Sequence, residues 1–336
     1  MTVLLASRKF FERHGAAIDR LSALGGPRGP IERVVVPEDE VGRLAPEDME
    51  RITVAFSSGD LQDYPELPLG RRLYGAARRA PNLEWMHVSN VGTDDPIYAE
   101  LMDKGIAVSN SAGSNGEPIA LTALGALLAL ARGLPHYGEQ QRRREWKKVL
   151  RPEAPFDLRG QTVTIFGLGT IGGFLASFLR PIGTHTVGVR RTPAGPEDHV
   201  DEWLSPDRLE EVLPRTDWLV IAAPLTAQTR NRIDAKALAL LPQGAHVINV
   251  GRGPIIDEEA LIASLRSGHI AGAYLDVFAV EPLPEDSPLW EMPNVILTPH
   301  DSAASRGNTG RADLIFLEEL ERWQRGEQPT RSVRER

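Results

Sequence analysis

Cysteine is absent from this chain of 336 residues. Disulfides, thiolate nucleophiles, iron–sulfur clusters and cysteine-ligated zinc are therefore excluded, and the redox compartment stays open. Long apolar runs are missing as well. The longest, from Ile119 to Ala131, contains Thr122 and falls short of the roughly 18 residues that a membrane-crossing helix needs; it reads as a buried helix. The N-terminus has no basic segment ahead of a long apolar one, and Val3–Ala6 resembles a first strand more than a signal core. A cytoplasmic protein without a membrane partner is expected. A positive excess is lacking too: 46 acidic against 38 basic side chains leave a net charge of −8, which offers no electrostatic reason to bind nucleic acid. The locally basic run Gln140–Arg151 reads as a solvated helix face. None of the eight histidines forms a close metal-type motif such as HExxH, so no metal site is expected.

What is present describes an ordered chain. Apolar residues make up 41%, and glycine (31) with proline (26) stay below low-complexity levels. At roughly 150 residues per domain the length suggests two domains, each able to bury a core. From about residue 160 onward, β-branched runs alternate with helical stretches: Thr162–Phe166, His185–Val189, Trp218–Ala222, His246–Val250, Gly272–Val277 and Val295–Thr298. Six such strands predict a parallel sheet with crossover helices. Ser205-Pro206-Asp207 and Asp257-Glu258-Glu259 supply helix start signals. An earlier set of runs, Val3–Ala6, Arg33–Val36, Thr53–Phe56, Leu83–Val88 and Ala107–Ser109, predicts a separate α/β unit. The Gly- and Ser-rich stretch Ser109–Gly116 marks the first crossing between domains. The last helix, near Gly310–Arg325, follows the sixth strand and is expected to return to the first domain. There is no internal repeat.

The strongest motif is Gly167-Leu168-Gly169-Thr170-Ile171-Gly172, which sits between the strand TVTIF and a helical stretch. A GxGxxG alone is weak, but this context is the required one. The first glycine permits the turn, the second lets backbone N–H groups approach a pyrophosphate, and the third lets helix and strand pack closely. The helix N-terminus favours the phosphate charge. About 20 residues on, where a carboxylate would hold the ribose 2′-hydroxyl of NAD, the chain has Arg190-Arg191-Thr192. Two guanidinium groups and a hydroxyl suit a 2′-phosphate. NADP(H) is the expected cofactor, with NAD(H) possible. The alternative, that the arginines merely solvate the strand end, predicts little discrimination between the two.

Three further segments fall at or beyond strand ends, where doubly wound sheets put their ligands: Asn249–Pro254, Asp276–Pro282 and Thr298–His300. With the glycine loop and the runs APLTAQTRNRID, VINVGRGPIIDEEAL, SGHIAGAYLDVFAVEPLP, SPLW and NVILTPH, this order resembles the D-isomer-specific 2-hydroxyacid dehydrogenase family, from about Val88 to Ala304. The resemblance implies two doubly wound α/β domains. A Rossmann dinucleotide-binding domain would span 113–305, and a smaller flavodoxin-like substrate domain would comprise 1–112 with 306–336. It also implies the roles. His300 would be the general acid/base, paired with Glu281, since a neighbouring carboxylate favours the imidazolium. Arg252 would bind the substrate carboxylate and polarise its carbonyl. Backbone N–H groups at Val91 and Gly92, in the stretch His87–Asp94, would hold that carboxylate from the other domain. Asp276 is similar to the family's nicotinamide carboxamide contact, and Pro224, Val250 and Ser302 occupy positions that line the cofactor.

The chain departs from the family at Ile119-Ala120-Leu121-Thr122, where relatives often carry Val-Ala-Glu-His. Family membership further implies a homodimer through the nucleotide domains, with Ile119–Ala131 in the contact. Trp146 and Trp290 read first as packing residues. The expected activity is reduction of a small 2-keto acid of glyoxylate or hydroxypyruvate type, and oxidation of the D-2-hydroxy acid in reverse. Two other readings are a phosphite or formate dehydrogenase-like enzyme and a nucleotide-sensing, corepressor-like interaction protein. Against formate oxidation stands Glu281, where that branch typically has glutamine.

Overall fold

The computed structural model describes residues 1–39, 42–62, 68–89, 96–149, 154–155 and 157–333. The chain divides into two compact units, one of Met1–Asn115 with Ser305–Arg336 and the other of Gly116–Ala304. Met1–Asn115 carries β1 (Thr2–Ala6), α1 (Arg8–Ala23), β2 (Ile31–Val35), α2 (Pro46–Arg51), β3 (Val54–Ser57), α3 (Leu69–Arg79), β4 (Trp85–Val88), α4 (Pro96–Asp103) and β5 (Ala107–Asn110). Gly116–Ala304 carries α5 (Gly116–Ala131), α6 (Leu134–Arg143), β6 (Thr162–Phe166), α7 (Thr170–Leu179), β7 (His185–Val189), β8 (Glu202–Leu204), α8 (Leu209–Val212), β9 (Trp218–Ile221), α9 (Ala235–Leu240), β10 (Ala245–Asn249), α10 (Glu258–Ser267), β11 (Ile270–Leu275) and β12 (Val295–Leu297). The chain then re-enters the first unit as α11 (Asn308–Gln324).

In the first unit the strands run parallel in the order β2-β1-β3-β4-β5, a flavodoxin-like doubly wound sheet. Alternation along the strands sorts side chains to two cores. Val3, Leu5, Ala55 and Met86 meet α3 and α4 on one face. Leu4, Val54, Phe56 and Trp85 meet α1 and α11 on the other. Phe316 of α11 stacks on Phe56 with ring centroids 4.0 Å apart. Each such buried side chain stabilises by about 1.5–3 kcal/mol, which is why the last helix belongs to this unit.

The second unit holds seven parallel strands in the order β12-β11-β10-β9-β6-β7-β8, the Rossmann order extended by one strand at the β12 edge. Val163, Ile165 and Val220 face α5 and α7, while Leu219, Ile221, Val247 and Leu275 face α9 and α10. Sequence patterning missed β8. Among the described residues Glu202-Trp203-Leu204 is an edge strand paired only to β7, too short to show a period. Asp257 caps α10 as expected, accepting from Ala260 N at 3.0 Å. Ser205 precedes a 3-10 turn without a side-chain cap bond. No single helix among the described residues is long and apolar enough to cross a membrane.

Candidate active site

β6 is buried along most of its length and ends at Phe166. Gly167 then takes φ +107°, and a Cβ on it would lie 2.4 Å from Ala223 N. A Cβ on Gly172 would lie 2.3 Å from Gly167 O. Packing within the protein thus demands these two glycines. Gly169 is different, because a Cβ there would meet no atom of the described residues within 4 Å. Packing among the described residues does not require its glycine, whereas a pyrophosphate lying against the backbone would. Gly169 is also the N-cap of α7 and supplies no side-chain cap bond, so first-turn N–H groups are left for an anion. The loop fits a dinucleotide. Thr170 is exposed at the helix start, while Ile171 packs partly against the core and offers backbone more than side chain.

A cavity of about 640 Å³ opens beside this loop, bounded by Gly167, Gly169, Arg190, Arg191, Thr192 and Pro224. It is lined also by Thr226, Gln228, Thr229 and Arg232, which the sequence reading did not single out. Their signal was the polar run that follows β9. There Thr229 Oγ1 donates to Pro224 O at 2.7 Å and accepts from Thr226 N at 2.7 Å, which holds the run as a tight turn. Arg232 is already paired, with Nη1 and Nη2 at 2.5 and 2.9 Å from the Glu210 carboxylate. That guanidinium holds the Glu210 carboxyl down to about 2.

The arginines after β7 do not act alike. Arg191 is exposed and has no hydrogen-bond or ion-pair partner among the described residues. Thr192 is exposed beside it. Arg190, expected to share the phosphate, is instead committed to the protein. Its guanidinium meets the Asp198 carboxylate through Nη1 at 2.9 Å and Nη2 at 2.7 Å, and also donates to Leu168 O, Thr192 O and Pro193 O. An arginine has five N–H donors, and these contacts use all of them.

Arg252, Glu281 and His300 follow β10, β11 and β12, which are neighbours in the sheet. Parallel pairing places all three strand ends on one side. Asn249, buried at the end of β10, grips the backbone around Arg252: Oδ1 accepts from Gly251 N at 3.1 Å and Nδ2 donates to Arg252 O at 3.2 Å. Arg252 Nη1 donates to Gly251 O at 2.8 Å. Glu281 Oε1 accepts from Phe278 N at 3.0 Å, and Oε2 lies 2.7 Å from His300 Nδ1. A carboxylate only accepts, so Nδ1 carries the proton and Nε2 is left to a reactant.

His300 itself has φ +54°, a left-handed conformation costing on the order of 1 kcal/mol for a non-glycine. Its surroundings over-determine it. His300 N donates to Asp276 O at 2.8 Å. The buried Asp276 carboxylate accepts from Thr298 Oγ1 at 2.6 Å, Asp301 N at 2.9 Å, Ser302 N at 3.0 Å and also Ser302 Oγ. Tyr274 extends the chain by donating to Thr298 Oγ1 at 2.7 Å. Burial pushes that phenol up to about 12, so it remains a donor. Asp276 and Ser302, assigned by resemblance to the cofactor, are here the frame of the His300 turn. Thr122, at the point of departure from the family, has its hydroxyl 3.0 Å from both Pro118 O and Ser302 O, which ties α5 to the same turn. Val250 is buried in the core beneath.

An apolar cavity of about 570 Å³ adjoins the dyad, lined by Phe278, Leu283, Trp290 and Leu297 with Glu281 and His300. Trp290, read as packing, is 55% exposed and is fixed by Nε1 donating to Pro284 O at 2.9 Å. Trp146 is 94% exposed. Val91 and Gly92 lie outside the described residues. His87, which begins that stretch, is buried in β4 and bonded to Ser109 and Ser111; burial and the positive charge of Arg331 hold it down to about 3.

Comparison with known proteins follows the same lines. Residues 124–302 match the family model for the NAD-binding domain of D-isomer-specific 2-hydroxyacid dehydrogenases. A glyoxylate/hydroxypyruvate reductase B from Yersinia enterocolitica is 35% identical over 68% of this chain and 70% of its own. Among solved structures, a D-isomer-specific 2-hydroxyacid dehydrogenase from Xanthobacter autotrophicus in complex with NADPH has a TM-score of 0.73 at 31% identity, covering 99% of this chain and 98% of that one. An NADPH-dependent glyoxylate/hydroxypyruvate reductase from Sinorhizobium meliloti, bound to NADP and malonate, has a TM-score of 0.69 at 30% identity, with 99% and 96% covered.

Proposed function

The chain belongs to the D-isomer-specific 2-hydroxyacid dehydrogenase family of NAD(P)-dependent oxidoreductases, and on that premise we propose that it reduces a small 2-keto acid of glyoxylate or hydroxypyruvate type with NADPH, and oxidises the D-2-hydroxy acid in reverse. The observation that carries this reading is the 2.7 Å contact of His300 Nδ1 with Glu281, one strand from Arg252. The dinucleotide, when bound, supplies or accepts the hydride at the substrate's C2. The Gly167–Gly172 loop and the N-terminus of α7 would hold its pyrophosphate. His300 gives the proton from Nε2 to the carbonyl oxygen as it becomes a hydroxyl, and takes it back in the oxidation. Glu281 holds the ring on the other nitrogen and offsets its charge. Arg252 binds the carboxylate and polarises the carbonyl with a planar fork that lysine lacks.

The preference for NADPH is supported by Arg191, an exposed guanidinium without a partner among the described residues, beside the Thr192 hydroxyl. NADP-bound relatives agree in kind. A homodimer is supported by Leu121 and Leu128 on α5 and by Leu134 at the start of α6, which are 50%, 37% and 55% exposed.

The test is a set of initial rates with NADPH and with NADH against glyoxylate, hydroxypyruvate, pyruvate and phenylpyruvate. Turnover favouring NADPH with any of these acids is the expected result. Absence of turnover with all of them, from protein that binds NADPH, would overturn the reductase reading and favour a nucleotide-sensing role.

A further inference from the structure

Among the described residues, four charged side chains line the nucleotide cavity: Arg190, Arg191, Asp207 and Arg232. Arg232 is neutralised by Glu210 and Arg190 by Asp198. Asp198 does not itself line the cavity; it is the counter-ion of a residue that does. Its carboxylate is also the kind of group that repels a phosphate and favours a ribose hydroxyl.

Resting on the NADP(H) reading above, we propose that Arg190 is not a ligand of the 2′-phosphate but the residue that silences Asp198, so that the arginine–aspartate pair sets cofactor choice while Arg191 and Thr192 make the contact. Three features carry this. All five N–H donors of Arg190 are spent inside the protein, so a phosphate gains none without breaking an existing bond. The pair is bidentate, at 2.9 and 2.7 Å, the geometry in which guanidinium and carboxylate cancel most completely. The same guanidinium ties Leu168 O of the glycine loop to Thr192 O and Pro193 O beyond β7, while Trp203 Nε1 of β8 donates to Arg190 O at 3.1 Å. Arg190 therefore positions both walls of the cavity. It leaves Arg191 as the cation without a partner there among the described residues. Asp198 is held in turn by Gly195 N at 2.6 Å, so loss of Arg190 would leave the carboxylate in place and uncompensated.

The experiment measures dissociation constants for NADPH and NADH by nicotinamide fluorescence in the wild type, R190A, D198N, the R190A/D198N double variant and R191A. R190Q serves as a second variant that keeps an amide donor where alanine disturbs the loop. The readout is the ratio of the two constants, because a loop that merely slackens weakens both nucleotides together. R190A and R190Q should lower the preference for NADPH roughly tenfold, the scale of one uncompensated charge several ångströms away at an intermediate dielectric. Adding D198N should restore it to within about twofold of the wild type, since one added charge is removed again. D198N alone should not lower it. A double variant as poor as R190A would overturn the proposal and make Arg190 a direct ligand. An unchanged ratio in R190A and R190Q would overturn it as well. R191A tests the underlying reading separately: an unchanged ratio there refutes the 2′-phosphate site at Arg191, whatever Arg190 does.

Discussion

Acidification should loosen the first unit through one residue, His87. The ring is fully buried in β4, with Nδ1 2.7 Å from Ser109 Oγ and Nε2 2.9 Å from Ser111 Oγ. Ser109 Oγ already accepts from Trp85 Nε1 at 2.8 Å, and Ser111 Oγ faces Ala312 O at 3.4 Å. One arrangement satisfies every group: Nε2–H donates to Ser111, which donates to Ala312 O, and Ser109 donates to a bare Nδ1. An imidazolium would force Ser109 to accept twice and strand its own proton. Burial, together with the charge of Arg331, accordingly holds the folded-state value down to about 3. Unfolded, the ring titrates near 6.5. Because the folded value is the lower one, the stabilisation is complete above pH 6.5 and is lost as pH falls from there toward 3.

Between pH 7.5 and 5.0 the loss comes to about 2 kcal/mol, at about 1.4 kcal/mol per unit once the unfolded ring is charged. Contributions from other titrating groups, among them the Asp313 carboxyl that burial pushes up, are common to both proteins and cancel in a comparison of the wild type with a His87 variant. Urea unfolding of wild type and H87Q, followed through the Trp85 indole N–H signal, reports on this unit. H87Q should be less stable at pH 7.5 but should lose about 2 kcal/mol less than the wild type on going to pH 5.0. Parallel pH dependences for the two proteins, or a His87 ring signal that titrates above pH 5, would refute the hydrogen-bond argument.

Three further outcomes concern the chemistry. H300A should lower kcat on the order of 10²- to 10⁴-fold and leave the NADPH dissociation constant nearly unchanged; unaltered turnover would remove His300 as the acid. R252K should raise KM and lower kcat/KM together for each keto acid, because a point charge cannot replace the fork; a loss confined to NADPH binding would contradict its assignment. W290A opens the apolar cavity beside His300 and should reduce kcat/KM for phenylpyruvate about tenfold more than for glyoxylate, in line with about 1–3 kcal/mol for apolar pocket contacts. Equal losses for both acids would mean that Trp290 only supports the dyad.

Local pattern carried much of this molecule. The strands of both units alternate or run apolar as buried parallel strands must, and most of them stood out for that reason. β8 escaped because three edge residues cannot show a period. Motif spacing marked Gly167–Gly172, and the order of motifs shared with a known family marked Arg252, Glu281 and His300. What pattern could not say is who touches whom. Arg190 and Asp198 stand eight positions apart with nothing in the sequence to pair them, and Asp276 shows its hold on the His300 turn only once Thr298, Asp301 and Ser302 close on it. The sequence by itself determined two α/β units and a glycine loop between strand and helix, because periodicity and turn chemistry are local; its likeness to a known family added three candidate side chains. Only the tertiary structure decided that Arg190 is paired while Arg191 has no partner among the described residues, and why His300 stays in a strained turn, because donors and acceptors are counted across the fold rather than along the chain.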